Sequence, residues 1–429
     1  MHDKNTIALT PPMGWNSWDN YAAAITEEQF LASAEYMRDK LLPFGWEYVV
    51  VDIQWYEPLA GTGDGEYRPF AELCMDEYSR LVPAENRFPS SAGGKGFAPV
   101  AEKIHSMGMK FGLHLMRGIP RQAVHRRTKV KGAGVSADRI ANPFSICKWN
   151  SDMYGIDAAK PGAQDYYDSV FELYASWGVD YVKADDICNT NMYPHAPFSG
   201  KGEIELIRRA IDACGRPMVL SLSPGPALIE EAWHYELNAN MWRITDDFWD
   251  HWELLKDMFR RCEVWQTHVQ PGCWPDCDML PLGHIGEGFK KPRSTNFTYD
   301  EQLTLMTLWC VFRSPLMMGG SLLEIDDRTL SLLTNSEVLD VLKYGGSPRQ
   351  VCRNAHMAVW TNAAEAGGCN LALFNLDDEK RTVCCPLKLL GMEYAEVRDL
   401  WAKTDKPPVS GKISTDLTSH SAALFHLKR

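Results

Sequence analysis

The chain has 429 residues, 45% of them hydrophobic, and a formal net charge of −12. That core is large enough for one barrel-sized domain with an appendage, and the acidic balance excludes the basic surface that nucleic acid recognition needs. No run of about 18 apolar residues is present to cross a bilayer, so no membrane partner is expected.

The N-terminus, MHDKNTIALTPPMGW, has no basic stretch followed by an apolar one. No signal peptide is visible, and a cytoplasmic location is expected. The 12 cysteines are scattered, and Cys273-x-x-x-Cys277 has no second pair at zinc-finger distance. Free thiols in a reducing cytosol are the expectation.

In chain order, short apolar runs alternate with amphipathic stretches up to residue 343, as βα units do. Strands are predicted in PMGWNSW, YVVVDIQW from Tyr48, KFGLHLMRG from Lys110 and DYVKADDI from Asp180. Four more follow in PMVLSLSPG from Pro217, MWRITDDF from Met241, WPDCDML from Trp274 and SPLMMGG from Ser314. Most are apolar until their C-terminal end, the pattern of strands buried on both faces. The first helix is signalled by Thr26 as N-cap, Gln29 completing a capping box and Ile25 stapling onto Phe30. Another is predicted in QLTLMTLWCVF from Gln302. Residues 56–109 and 118–165 are long connections that follow strands, which places both on the C-terminal face of a barrel. After Tyr344 the pattern changes to AVWTN, CNLALFNL, TVCCPL, AEVRDLW and AALFHLK, short β-rich runs between turns. The expected fold is therefore an α/β (β/α)8 TIM barrel over 1–343 followed by an antiparallel β domain over 344–429.

The predicted strand ends carry Asp52, Asp185, Asp186, Asp246, Asp247, Asp276 and Asp278. Carboxylates converging from different strands suit acid/base chemistry or a metal site, and any one of them could instead cap the next helix. Lys183 and Asp185, two apart on a strand, share a side. The ammonium would keep the carboxylate ionised, as a nucleophile requires, unless the two form a purely structural ion pair. Arg243 and Asp247 share a face by the same period, and burial beside Trp242, Phe248 and Trp249 could hold a proton on Asp247. Trp15, Trp18, Trp55 and Trp274 sit near strand ends, where such rings pack on sugar faces or in the core.

With these residues in view, the chain resembles glycoside hydrolase family 27, the α-galactosidase and α-N-acetylgalactosaminidase family. The likeness runs through TPPMGWNSWDNY, YVVVDIQW, RFPSSAGGKGFAPVAEKIHSMGMKFGLH, ASWGVDYVKAD, WRITDD, WPDCDML, LTLMTLWCVFRSPLMMGG, NLDDEKRTVCCPL and SHSAALFHL. It implies a barrel followed by an antiparallel β-sandwich, and double displacement with retention. By motif position it makes Asp185 the nucleophile and Asp247 the general acid/base, with Asp246 one residue off the motif. It makes Lys183 and Arg243 sugar contacts, and it puts Trp18, Asp52, Asp278 and Met279 at pocket positions. Retention requires the two carboxyl groups about 5–5.5 Å apart.

The departures from the family bear on substrate. Ile53 stands where α-galactosidases have a second aspartate, and an apolar side chain there favours a sugar without the hydroxymethyl group. β-L-arabinopyranosides are therefore slightly favoured over α-D-galactosides. Ser223 replaces a Glu that reads the 2-position, as in the N-acetylgalactosaminidases; His114 replaces a Tyr. Asp186 falls where the family has Asn or Gly, and the displaced Cys188 argues against an active-site disulfide. The expected partner is a small glycoside or oligosaccharide, with no cofactor, no metal and a possible homo-oligomer. Two other classes compete: a metal-dependent barrel hydrolase, opposed by the lack of a His-rich ligand set, and a non-catalytic sugar-binding protein, opposed by retention of both carboxylates.

Overall fold

The computed structural model describes residues 4–63, 65–189, 200–365 and 367–429. Eight parallel strands form one sheet: β1 (Met13–Asn16), β2 (Tyr48–Val51), β3 (Lys110–Met116), β4 (Tyr181–Asp185), β5 (Val219–Leu222), β6 (Met241–Arg243), β7 (Trp274–Asp276) and β8 (Leu316–Met318). From β1 to β7 each strand pairs with the next in sequence, β1 also pairs with β8, and β7 and β8 are joined, among the described residues, only by an isolated parallel bridge between Leu280 and Met318. The sheet thus curls into the expected TIM-type barrel. All eight predicted strand segments are present.

The strands are short and apolar because both faces are covered. Tyr48, Val50, Tyr181, Val219, Met241, Trp274 and Met317 form one buried cluster, while the alternate residues Val49, Val51, Val182, Ala184, Leu220 and Trp242 belong to the main core. The period of two therefore sends Lys183 and Asp185 to the same side as Tyr181, and Arg243 to the same side as Met241. Gly112 is required within this layer: a Cβ there would meet Val50 Cγ2 at 2.9 Å and the Tyr181 side chain at 3.1 Å.

Helices α1 (Glu27–Lys40), α2 (Ala98–Ser106), α3 (Ala163–Trp177), α4 (Lys201–Ala213), α5 (Ala232–Asn238), α6 (Trp252–Trp265), α7 (Tyr299–Phe312) and α8 (Ser336–Tyr344) accompany the strands. The predicted capping box is formed, Thr26 accepting from the Gln29 N–H while the Gln29 side chain accepts from the Thr26 N–H. A second box, Thr298 with Glu301, opens α7. The connection after β3 folds back as a small sheet of Ile119–Pro120, Ala141–Ile146 and Met153–Ile156.

The C-terminal part has eight strands: β9 (Gly346–Arg353), β10 (Met357–Ala363), β11 (Cys369–Asn375), β12 (Arg381–Pro386), β13 (Tyr394–Asp399), β14 (Thr404–Ser410), β15 (Lys412–Leu417) and β16 (Ala422–Lys428). Six form an antiparallel sheet in the order β9-β10-β11-β16-β13-β14, and β12 pairs with β15. Leu371, Leu373, Val383, Ile413 and Leu427 meet between the two layers, while Trp360, Phe374 and Leu424 on the other face join the barrel core. Sequence periodicity found five of these strands. It missed β9, β14 and β15: β14 (TDKPPVS) is an exposed edge strand, where Pro407 and Pro408 are tolerated.

All 12 cysteines are free thiols, and Cys188 is fully buried. Among the described residues, no helix is long and apolar enough to cross a membrane.

Candidate active site

A cavity of about 340 Å³ opens at the C-terminal ends of the barrel strands. Nine of the eleven residues singled out from the sequence line it: Trp18, Asp52, Ile53, Lys183, Asp185, Arg243, Asp247, Asp278 and Met279. They come from β2, β4, β6 and β7 or the residues just beyond, and from the turn after β1.

Asp185 ends β4, and three groups hold its carboxylate. His114 Nε2 lies 3.0 Å from its Oδ2, Ser223 Oγ donates to Oδ1 at 3.1 Å, and the Asp186 N–H donates to Oδ1 at 2.8 Å. Burial by itself would raise its pKa. The hydrogen bond and charge of His114, the charge of Lys183 and the Asp186 N–H outweigh burial and hold it well below the usual carboxylate range. Asp186, next in the chain, has φ 53°, in the left-handed region that Asp, Asn and Gly enter most readily. Its carboxyl turns away to Arg117, 2.9 Å from NH2, and burial pushes it up to about 6 against the pull of that guanidinium.

Lys183 acts on Asp185 through its charge, as expected, and makes its ion pair with Asp52 rather than with Asp185. Lys183 Nζ donates to Asp52 Oδ2 at 2.9 Å, and Asn16 donates to the same oxygen at 2.7 Å. The Ile53 N–H bonds Asp52 Oδ1 at 2.8 Å. Burial opposes ionisation of Asp52, but the Lys183 and His114 charges prevail and lower its pKa. On the opposite wall Arg243 bridges two carboxylates, Asp247 Oδ1 at 2.8 Å and Asp278 Oδ1 at 2.9 Å. Asp278 has φ 79° and accepts from the Phe248 N–H at 2.8 Å.

Three expectations change. His114 and Ser223 do not line the cavity; both are buried behind Asp185 and bond to it. Burial does not cover Asp247, whose side chain is 64% exposed at the mouth, because Trp242 turns into the core on the far side of β6. Of the four strand-end tryptophans only Trp18 faces the cavity; Trp15, Trp55 and Trp274 are fully buried.

The cavity also has walls that the sequence reading did not identify. Asp19 lies beside Trp18, and Glu66, Tyr67, Lys148 and Trp149 arrive from the two long connections. Tyr67 stacks on Trp18 with centroids 6.0 Å apart, and Trp149 tilts against Tyr67 at 5.5 Å, extending an aromatic rim. The one available signal was that both connections follow barrel strands. Among the described residues no group of three or more His, Cys, Asp or Glu is placed to hold a metal ion. Lys183 and Arg243 stand between the carboxylates instead.

Asp276 gives a test of these electrostatics. Burial and the neighbouring Asp278 raise it to about 7 despite Arg243. A carboxyl raised above its unfolded value of about 3.9 stabilises the fold fully below that pH, and the contribution is lost as pH rises towards 7. Asp276→Asn keeps the acceptor for the Asp278 N–H, which bonds Asp276 Oδ1 at 2.9 Å. Melting curves at pH 5 and pH 8 are expected to differ less in this variant than in the wild type, by about 2 °C or more. An unchanged difference would mean Asp276 is ionised throughout.

Comparisons with known proteins agree with this layout. The family model described as alpha galactosidase A matches residues 152–343, and that of the alpha galactosidase C-terminal beta sandwich domain matches 354–427. A GH27 β-L-arabinopyranosidase structure from Geobacillus stearothermophilus is 55% identical, covers 99% of this chain and 98% of that one, and superposes with a TM-score of 0.96. A Bacillus halodurans C-125 structure, described as a candidate α-N-acetylgalactosaminidase, is 50% identical over 98% of each chain with a TM-score of 0.88. The alpha-galactosidase of Coffea arabica is 27% identical over 99% of this chain and 95% of its own.

Proposed function

The chain belongs to glycoside hydrolase family 27, and from that premise we propose that it is a retaining exo-glycosidase acting on terminal β-L-arabinopyranosyl residues in preference to α-D-galactosyl ones. The observation that carries the preference is Ile53. It follows Asp52, is 1% exposed and lines the cavity. α-D-galactopyranose differs from β-L-arabinopyranose by a hydroxymethyl group, whose hydroxyl would find no acceptor on isoleucine. Leaving it unpaired costs about 1–3 kcal/mol. The 55% identity to a β-L-arabinopyranosidase supports the same reading.

In this mechanism Asp185 attacks the anomeric carbon while Asp247 gives its proton to the departing oxygen. A glycosyl–Asp185 ester forms and the aglycone leaves. Asp247 then takes a proton from water as that water attacks the same carbon, and the free sugar keeps the starting configuration. His114 and Ser223 position Asp185 and hold it ionised. Lys183 with Asp52, and Arg243 with Asp278, present the donors and acceptors for the ring hydroxyls. Trp18 and Met279 supply apolar wall.

The deciding measurement is kcat/KM on an aryl β-L-arabinopyranoside and the matching aryl α-D-galactoside. A clearly higher value for the galactoside would refute the preference. Following the first-formed anomer by NMR tests retention. Ile53→Asp is expected to raise the galactoside-to-arabinopyranoside ratio of kcat/KM about 10–100-fold, by supplying the missing acceptor. A ratio that stays put would show that position 53 does not read C6.

A further inference from the structure

We propose that Asp19 is a further sugar-binding residue, its carboxyl hydrogen-bonded to a ring hydroxyl of the bound glycone. The proposal rests on the cavity being the glycone pocket. Asp19 follows Trp18, is 2% exposed and forms part of the cavity wall. Its backbone is fixed: its carbonyl accepts from the Gly286 N–H at 2.9 Å.

The side chain is different from its neighbours. Asp52 is bonded by Lys183 and Asn16, Asp185 by His114 and Ser223, Asp247 by Arg243, and Asp278 by Arg243 and the Phe248 N–H. Asp19 Oδ2 is covered and has no hydrogen-bond partner among the described residues. It lies against the backbone of Gly319, where an added Cβ would come within 1.8 Å of Oδ2. The fold therefore makes room for this carboxyl with a glycine yet gives Oδ2 no donor. A buried polar group without a partner is costly, and a ligand that supplies one offsets that cost.

The surroundings fix which partner fits. Burial first, then the negative charges of Asp278, Asp247 and Asp52, push Asp19 well above the usual carboxylate range, against the pull of Lys183. A carboxyl shifted in that direction is biased towards its neutral form, which can donate as well as accept, as a sugar hydroxyl does. Asp19 thereby offers a contact on the Trp18 side of the pocket. It adds to the set formed by Asp52 and Lys183, where Ile53 has removed a polar group.

The test compares wild type, Asp19→Asn and Asp19→Ala on whichever aryl glycoside, β-L-arabinopyranoside or α-D-galactoside, the wild type hydrolyses faster. Its 2-, 3- and 4-deoxy analogues are included, together with calorimetric titration of free L-arabinose. Asparagine keeps the volume and a neutral donor, so it controls for folding. The expected result is a loss in kcat/KM about tenfold or more larger for alanine than for asparagine, carried mainly by KM. That loss should vanish on one deoxy analogue only, and arabinose affinity should fall in the same order. Equal losses on every analogue, or equal losses for the two variants, would overturn the proposal. A wild type inactive on both glycosides, yet binding arabinose with Asp19-dependent affinity, would instead overturn the hydrolase reading and uphold this one.

Discussion

Asp185→Asn is expected to lower kcat by at least ~10⁴-fold on every glycoside the enzyme accepts, with the fold intact. The amide has the size of the carboxylate and can still accept from Ser223 Oγ and the Asp186 N–H, now 3.1 and 2.8 Å from Oδ1. It cannot form the glycosyl ester. Asp185 has what a nucleophile needs: partners at both oxygens and a nearby ammonium that together outweigh its burial. Stereochemistry makes the test sharper. In Asp185→Gly, azide can enter from the vacated face and give a glycosyl azide of inverted configuration, because a single displacement replaces two. Turnover within about tenfold of wild type in the asparagine variant would remove Asp185 from the chemistry.

How far the sequence reached can be judged on that same strand. The polar end of an otherwise apolar run located Asp185 at the barrel mouth, and the period of two put Lys183 beside it. Periodicity cannot say which partner a flexible ammonium selects across the barrel. Lys183 reaches Asp52, 131 positions earlier in the chain, while Asp185 is held by His114 from β3 and Ser223 from just beyond β5. Residues one layer behind a cavity and residues on its surface have the same sequence signature, so the family resemblance put His114 and Ser223 among the sugar contacts, whereas the folded barrel sets both behind Asp185. The capping boxes were local and hence legible in principle: Thr26 with Gln29 was recognised, whereas Thr298 with Glu301 was passed over. Tyr67 and Trp149 were not legible, because only the folded connections bring them to Trp18; Asp19 is next to Trp18 in the chain, but nothing local shows that its carboxyl faces the cavity. The edge strand β14 was missed because its exposure permits Pro407 and Pro408, which by sequence argue against a strand.

Asp247→Asn is expected to have an effect that depends on the leaving group. With a sugar or alkyl aglycone, whose oxygen cannot depart as an anion, kcat/KM should fall about 10²–10⁴-fold. With a dinitrophenyl glycoside the first step needs little proton assistance and should be only mildly slowed, while hydrolysis of the glycosyl enzyme, now lacking its base, becomes limiting. A burst of dinitrophenol followed by slow turnover is the signature, and azide should restore turnover with retained configuration. The geometry gives this prediction a further edge. Asp247 is 64% exposed and bonded to Arg243, which also holds Asp278. In the proposed mechanism an aglycone seated at the mouth beside Trp249 and Glu66 would cover Asp247. Longer aglycones should therefore suffer the larger loss in the asparagine variant, since they exclude water from Asp247 most completely. A uniform loss across leaving groups would transfer the acid role to another carboxyl at the mouth, of which Asp246 is the adjacent one.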